Sequence, residues 1–474
     1  MVESIDENHL GVIDLWDVEV DVAIAGAGGC GLVAALAAAE RGLDVAVFEK
    51  TEFVLGNTAA SAGMIPAANT RFQKAEGIHE TAEEMAEDIL KKNHYESDPK
   101  LTLAVCKESG RLIEWMSDSL NVQLSLVKEF KYPGQRNYRM HAPPSRSGIE
   151  LLKGLKRAVA ERDNIYLVMK SELIDLITNE NQQIIGIEVN SSDGTQRIKA
   201  KKVILSTNGF GGNKEMVKKY IPEIADALYF GYEANTGDAI RLGEKVGAEM
   251  AALSSYQGHS AVAEANGILV TWGTIMMGGF MVNAEGQRFG NETQGYSEFA
   301  TQVLNQPNGK GYIIFDQEIY DQLISIEDFK VLAEMDGFKK SGNMEELAHL
   351  LGIDADNLKQ TLVDFENSTV QGEDKFGRTE FPKKLTGTYY GIEVLPALFH
   401  TQGGLKINEH GQVMDKKLQV IPNLYAGGGA AEGISGRHSY GYMSGNGLLA
   451  ALGFGKIAGD HAAETIINEG VYHE

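Results

Sequence analysis

Apolar and β-branched residues dominate Val18–Ala25, VEVDVAIA, and the stretch ends in a continuous apolar run. β-branched and small apolar residues in such a run predict a buried strand of a parallel sheet. GAGGCG follows at once, and an alanine-rich helix is expected from there to about Arg41, ended by Gly42. A second strand, DVAVFE, closes on Glu49. Residues 51–70, TEFVLGNTAASAGMIPAANT, carry no period and are rich in small side chains, with Gly56 and Gly63 as break points. Far along the chain, MEELAHLLG and DADNLKQTLVDFENS space apolar residues helically, and Asp354 is placed to cap the second run. The longest run of apolar side chains unbroken by glycine, Leu32 to Ala39, is well short of the roughly 18 residues of a membrane span, so none is expected.

The first motif carries chemistry. Gly26, Gly28 and Gly31 stand in GxGxxG spacing between strand and helix. Gly26 permits a tight turn, Gly28 lets backbone approach a pyrophosphate, and Gly31 lets the helix pack on the strand. The helix N-terminus offers free N–H groups to phosphates. Glu49 ends the second strand, where a carboxylate can accept hydrogen bonds from a ribose diol. Strand, turn, helix, strand and acid in order predict a dinucleotide site. The small-residue stretch that follows selects a flavin, whose broad ring needs backbone and small side chains against it.

Composition narrows the partners. With 43 Lys and Arg against 66 Asp and Glu, the formal net charge is −23, which argues against nucleic acid or an anionic membrane surface. The two cysteines, Cys30 and Cys106, have no zinc, CxxC or haem-attachment spacing. No resident metal is expected, and a cytoplasmic, reducing location fits. The start, Met1 to Leu10, is acidic and unlike a secretory signal.

The chain resembles the fumarate reductase and succinate dehydrogenase flavoprotein family. The resemblance begins in residues 51–70 and continues in order through KKVILSTNGFGGN (201–213), NTGDAI (235–240), FHTQGG (399–404), NLYAGGGAAEG (423–433) and SGNGLLAAL (444–452). It implies an α/β fold: a Rossmann-like, glutathione-reductase-like FAD-binding domain at 1–252 and 396–474, with an inserted α+β capping domain at 253–395. Gly28, Gly31 and Glu49 would hold the ADP half of FAD. Asn57, Thr58, Gly63 and Met64 would line the ring, and Glu172, Asp238, Glu432, Gly447 and Leu448 match later contacts. Glu432 follows a glycine triplet, from which its carboxylate could reach the ribitol. Asp238 could instead cap the helix starting near Ala239. Membrane-bound members link FAD covalently to a histidine; none lies between Thr51 and Ala62, so FAD should be held non-covalently.

The departures are informative. In GQRFGNETQGY, Arg288, Phe289, Asn291 and Glu292 match the family, but its proton-donating arginine is replaced by Tyr296. In HSYGYMSGNG, a substrate arginine is replaced by Tyr442. The acid and arginine of the capping element fall on Trp272 and Ile275, while His259 and His400 remain at the histidine positions. A dicarboxylate would lack cationic partners there. Tyrosine hydroxyls suit a neutral carbonyl, and Gly441 to Gly445 resembles the GYxSG element of 3-ketosteroid Δ4-dehydrogenases, with Ser444 in its serine place. The implied activity is α,β-dehydrogenation of a cyclic ketone, steroid or cyclohexanone-like, or reduction of the enone. Tyr296, Tyr442 and Ser444 would serve chemistry; His259, Trp272 and His400 would bind the small-molecule substrate. Two alternatives stay open: reduction of an unsaturated carboxylate, needing Arg288 or Arg437 at the substrate, or a flavin subunit of an electron-transfer complex. Either way the electron donor or acceptor is a separate molecule.

Overall fold

The computed structural model describes residues 16–471; the acidic start at Met1–Leu10 lies outside them. Parallel strands Val420–Ala426, Gly194–Leu205, Val18–Ala25, Val45–Glu49 and Ile165–Met169 form the spine of an eight-stranded sheet, in that spatial order. Antiparallel strands Glu172–Thr178, Ile184–Ser191 and Gln412–Met414 complete it. The alanine-rich helix runs over Gly29–Ala39, and Gly42 turns the chain at φ +82 just beyond. Every residue of that helix is buried, which is why it needs no polar face. It packs against the 26-residue helix Asn446–Val471. Gly455 and Gly459 bring the pair close: a Cβ on either would stand 2.5 Å and 2.4 Å from the carbonyl oxygens of Cys30 and Ala34.

A second sheet of six strands is organised around Tyr389–Thr401, which pairs with Leu228–Tyr229, Tyr256–Ala263, Gly311–Asp316 and Lys339–Ser341; Phe280–Val282 adds to Gly311–Asp316. The expected helices are Met344–Leu351 and Ala355–Gln371, and Asp354 caps the latter by accepting from Asn357 N at 2.8 Å. This sheet takes in Leu228–Tyr229 and continues to Thr401, so it reaches past both joints expected near 252 and 396. The overall class is α/β, a Rossmann-like nucleotide-binding unit with a capping unit. Among the described residues, no helix is long and apolar enough to cross a membrane.

Candidate active site

A continuous cavity of about 1930 Å³, counted with the solvent that enters it, is lined from both sheets. At one end stands the glycine turn. Gly26 adopts φ +99, and a Cβ there would fall 2.5 Å from the Ser206 carbonyl. A Cβ on Gly28 would meet no protein atom within 4 Å, so the space over that residue is left to a ligand. Gly31 does not line the cavity: its Cβ would lie 1.9 Å from the Gly26 oxygen, so it serves packing rather than contact. The Glu49 carboxylate is fixed at its strand end, accepting from Ala27 N at 3.0 Å, Thr51 N at 3.0 Å and Thr51 Oγ1 at 2.8 Å. Asp238 is the first residue of helix Asp238–Lys245 and Gly237 holds the cap position. Its carboxylate pairs with Lys50 at 2.7 Å, and both residues line the cavity, as does Glu172. The buried Thr207 Oγ1, on the same lining, finds no hydrogen-bond partner among the described residues. Open room above Gly28, an unused hydroxyl and a carboxylate at the strand end fit the nucleotide of FAD.

The next section is lined by Asn57, Thr58, Met64, Gly447 and Leu448. Asn57 ties the two units together: Oδ1 accepts from Tyr232 N at 2.7 Å and Asn235 Nδ2 at 3.0 Å, and Nδ2 donates to Phe399 O at 3.2 Å. Thr58 Oγ1 accepts from Gly29 N at 3.1 Å. Gly63 stands behind the lining; at φ +64 its Cβ would fall 2.8 Å from the Ser147 carbonyl. Gly447 leaves room for His400, whose Nε2 would lie 2.5 Å from a Cβ there. Glu432 is a correction. Its buried carboxylate accepts from Lys406 Nζ at 3.0 Å and Ile407 N at 3.3 Å and does not line the cavity; the glycine triplet itself, Gly427 to Gly429, does. Burial pushes that carboxyl up despite Lys406.

The far end is aromatic. Tyr296 begins helix Tyr296–Leu304 after Gly295 at φ +127, a conformation open to glycine. Ser260 Oγ donates to Tyr296 O at 2.6 Å and Gly258 N donates to Ser297 Oγ at 3.0 Å, pinning this helix to strand Tyr256–Ala263. His259, on that strand, stacks on Tyr296 at 4.5 Å and on Phe399 at 5.0 Å between ring centres. Trp272 meets His259 edge-on at 6.2 Å, and its buried indole N–H has no partner among the described residues. Tyr442 lies 6.2 Å from Tyr296 between ring centres, and its hydroxyl accepts from Gly447 N at 3.4 Å. Ser444 lines the cavity beside them.

The electrostatics leave donors. Burial pushes the Tyr296 hydroxyl up to about 12 although the Ser444 and Tyr442 hydroxyls pull it down, and burial takes Tyr442 well above the usual tyrosine value. Burial also lowers His259 to about 3 and His400 to about 4, so both rings are neutral. Ala261 N donates to His259 Nδ1 at 3.1 Å, which leaves the proton on Nε2. His400 Nδ1 lies 2.8 Å from Gln402 Nε2 and 3.3 Å from Thr401 O. The shorter contact governs, because Ser435 Oγ donates to Gln402 Oε1 and thereby turns the amide nitrogen to the ring. His400 Nε2 is thus a donor as well. A second cavity, of about 200 Å³, is shared by Tyr296, Tyr442 and Ser444 and reaches Lys92. Lys92 pairs with Glu298 at 2.9 Å, and both are partly exposed.

Neither arginine named from the sequence reaches the cavity. Arg288 is buried against Glu292 at 2.7 Å and Asp374 at 2.6 Å, with Arg378 on Glu292 at 3.2 Å; Arg437 is exposed and off the lining. Two residues that no motif marks do reach it. Tyr132, between the short strands Ser125–Leu126 and Met140–Ala142, stands edge-on to Tyr296 at 6.1 Å, and Arg146, between Met140–Ala142 and the helix Gly148–Ala160, lines the cavity with it.

A family model described as an FAD binding domain matches residues 21–448. A probable fumarate reductase of Shewanella frigidimarina is 31% identical over 453 residues, covering 94% of this chain and 75% of that protein. A urocanate reductase of Eggerthella lenta is 30% identical over 460 residues, covering 94% and 75%. Among solved structures, the open conformation of a flavocytochrome c3 fumarate reductase gives a TM-score of 0.78 at 31% identity, covering 95% of this chain and 79% of that one. A 3-ketosteroid Δ4-(5α)-dehydrogenase from Rhodococcus jostii shares the fold at a TM-score of 0.75 and 23% identity, covering 95% and 98%.

Proposed function

The chain belongs to the FAD-binding family of the fumarate reductase flavoproteins and is an FAD-dependent oxidoreductase of carbon–carbon bonds; from that premise we propose that it reduces the double bond of a cyclic enone, 3-ketosteroid- or cyclohexenone-like, or runs the reverse dehydrogenation. The observation that carries this is the pair of tyrosines, Tyr296 and Tyr442, against neutral histidines in an aromatic chamber where a dicarboxylate would find no arginine pair. FAD, held without a covalent bond, supplies hydride exchange at its ring. His259 Nε2–H or a tyrosine hydroxyl binds the carbonyl oxygen and stabilises charge that develops there. Tyr296 stays protonated at neutral pH, so it delivers a proton to carbon. That protonation state favours the reductive direction: abstraction of an α-proton needs a tyrosinate, and burial opposes one. Tyr442 and Ser444 link Tyr296 to the small cavity at Lys92, through which solvent restores the proton. Glu432 has no part in holding FAD on this reading; Gly26, Gly28, Glu49, Asn57, Thr58, Met64, Glu172, Asp238, Gly447 and Leu448 do. The capping unit, residues 253–395 with the strands joined to it, closes the substrate chamber. A separate carrier exchanges the electrons, and two free buried cysteines fit a reducing, cytoplasmic location.

The test is anaerobic mixing of the chemically reduced protein with cyclic enones and with fumarate, following flavin reoxidation in a single turnover. Enones should react, and fumarate should be slower by about 100-fold or more, because each carboxylate left without a charged partner forfeits about 1.5–3 kcal/mol. Tyr296→Phe should lose roughly 10²–10⁴-fold with FAD content normal, and Tyr442→Phe a comparable factor. Fumarate reacting as fast as the best enone, or both Phe variants reacting at the parent rate, would overturn the proposal.

A further inference from the structure

On the aromatic half of the cavity the charged side chains are Arg146 and, on the capping helix Glu327–Glu334, the exposed Asp328. The other cavity-lining cation, Lys50, is taken by Asp238 at the nucleotide end. Arg146 sits between Met140–Ala142 and the helix Gly148–Ala160, at φ +54, a conformation non-glycine residues rarely adopt. Close packing of the two residues that follow holds it there. The Ser147 carbonyl abuts Gly63, and a Cβ on Gly148 would fall 1.9 Å from the Thr58 oxygen. Ser147 and Gly148 are thereby fixed against residues 58–63, and Arg146 stands on the cavity lining. Its guanidinium reaches Glu129, with Nη2 donating to Oε1 at 2.6 Å, and its charge is felt at Tyr132, which stands edge-on to Tyr296.

The Arg146 side chain is only 15% exposed, whereas that of Glu129 is 46% exposed. A guanidinium carries five donors, and among the described residues this one uses Nη2 alone. A part-buried cation on the cavity lining whose remaining donors meet no protein acceptor leaves an edge open to a ligand. A carboxylate is the group whose two oxygens match a guanidinium edge. Arg146 is also one aromatic ring removed from Tyr296, so the group it holds cannot be the one being reduced.

Building on the enone reading, we propose that the substrate carries a single carboxylate, set apart from its reacting carbon pair and held by the free edge of Arg146. The aromatic chamber then takes a neutral ring and Arg146 takes the charge. This places specificity at a residue outside the positions where arginines of the family were expected.

The experiment titrates the oxidised, FAD-loaded protein anaerobically with a cyclic enone bearing a remote carboxylate and with its methyl ester, reading the shift in flavin absorption. In the parent, the acid should bind roughly 10- to 150-fold more tightly than the ester, the range of charge-assisted hydrogen bonds. Arg146→Gln should bring the two together by weakening the acid alone, and Arg146→Lys should fall between. Glu129→Gln, at an exposed position that competes for the same guanidinium, should tighten the acid and leave the ester unchanged. Equal binding of acid and ester to the parent, or an equal loss of both in Arg146→Gln, would overturn the assignment. If Arg146→Gln does not fold, the parent ratio and the Glu129→Gln response decide. Failure of the enone reading has a different signature: neither enone is reduced, while a plain unsaturated carboxylic acid is, in an Arg146-dependent way.

Discussion

The two ends of the cavity are made of different material. The nucleotide end is built on backbone, with a strand, a turn at Gly26, open space over Gly28 and a helix start within residues 18–31, and the side chains of Glu49, Glu172 and Asp238 are set around it. The flavin-facing and substrate end is side chains gathered from distant parts of the chain: Tyr132, Arg146, His259, Trp272, Tyr296, Tyr442. Local sequence dictates the first end, because a turn and a close helix–strand contact tolerate few residues. Tertiary packing dictates the second, where each side chain is positioned by neighbours far away in sequence. One consequence is that substitutions at the first end should act through geometry and at the second through chemistry.

The sharpest break of that comparison lies inside the glycine motif. Gly31→Ala puts a Cβ 1.9 Å from a backbone oxygen and 2.7 Å from Ser206 Oγ. Neither the turn nor the strand can yield, so at least about 3 kcal/mol of stability should be lost. Gly28→Ala meets only empty space, so the apoprotein should stay within about 0.5 kcal/mol of the parent. Its FAD affinity should fall roughly tenfold or more, which corresponds to about 1.4 kcal/mol of lost approach. Urea unfolding of both apoproteins, paired with FAD titration, checks this. Equal destabilisation by the two substitutions would mean that the motif is a plain structural turn.

The same contrast governs what the sequence makes legible. GxGxxG, Glu49, the Asp354 cap and the helices after residue 340 follow from local rules, and the structure has them in place. Tyr296, Tyr442, Trp272, His259 and His400 came from the resemblance alone, and the structure gathers them in one chamber. Glu432 stands off its expected place because a glycine triplet gives no register: three residues separate the lining at Gly429 from an acid facing Lys406. Nothing periodic marks Tyr132 or Arg146; Tyr132 is placed by Phe130, Tyr296 and Met64, and Arg146 by the packing of Ser147 and Gly148 on Gly63 and Thr58. Arg288 looked available in sequence, and the structure shows it satisfied by Glu292 and Asp374.

Two acids separate a cofactor contact from a structural one. Glu49→Ala removes the carboxylate at the strand end, and the loss of charge-assisted hydrogen bonds should weaken FAD by roughly 10- to 150-fold. Glu432→Gln, with its carboxylate turned to Lys406, should leave FAD affinity within about threefold and instead lower stability by about 1–3 kcal/mol, the cost of leaving a buried donor poorly matched. Isothermal titration with FAD and urea unfolding read the two quantities apart. A large loss of FAD affinity in Glu432→Gln would restore it to the cofactor site.

The last contrast is between histidines on and off the cavity. His141 is buried away from the lining, with Nε2 2.9 Å from Thr70 Oγ1 and Nδ1 3.0 Å from Arg139 O. Burial lowers it to about 4, against which its backbone hydrogen bonds work. The unfolded chain would protonate near 6.5, so between that pH and about 4 the unfolded state binds more protons than the folded one. Stability from keeping His141 neutral is therefore complete above about 6.5 and falls as the solution is acidified, by about 2 kcal/mol at pH 5. His259 and His400 drift the same way, but they line the cavity, so their titration should also alter substrate binding. His141→Gln should be less stable than the parent at pH 7, yet should lose about 2 kcal/mol less between pH 7 and pH 5. Its flavin reoxidation by an enone should follow the parent pH profile, since the ring touches neither substrate nor cofactor. Urea unfolding of the FAD-loaded proteins at the two pH values measures the slope. Identical acid slopes in parent and variant would mean that His141 is solvated in solution, and a shifted reoxidation profile would tie it to the chamber after all.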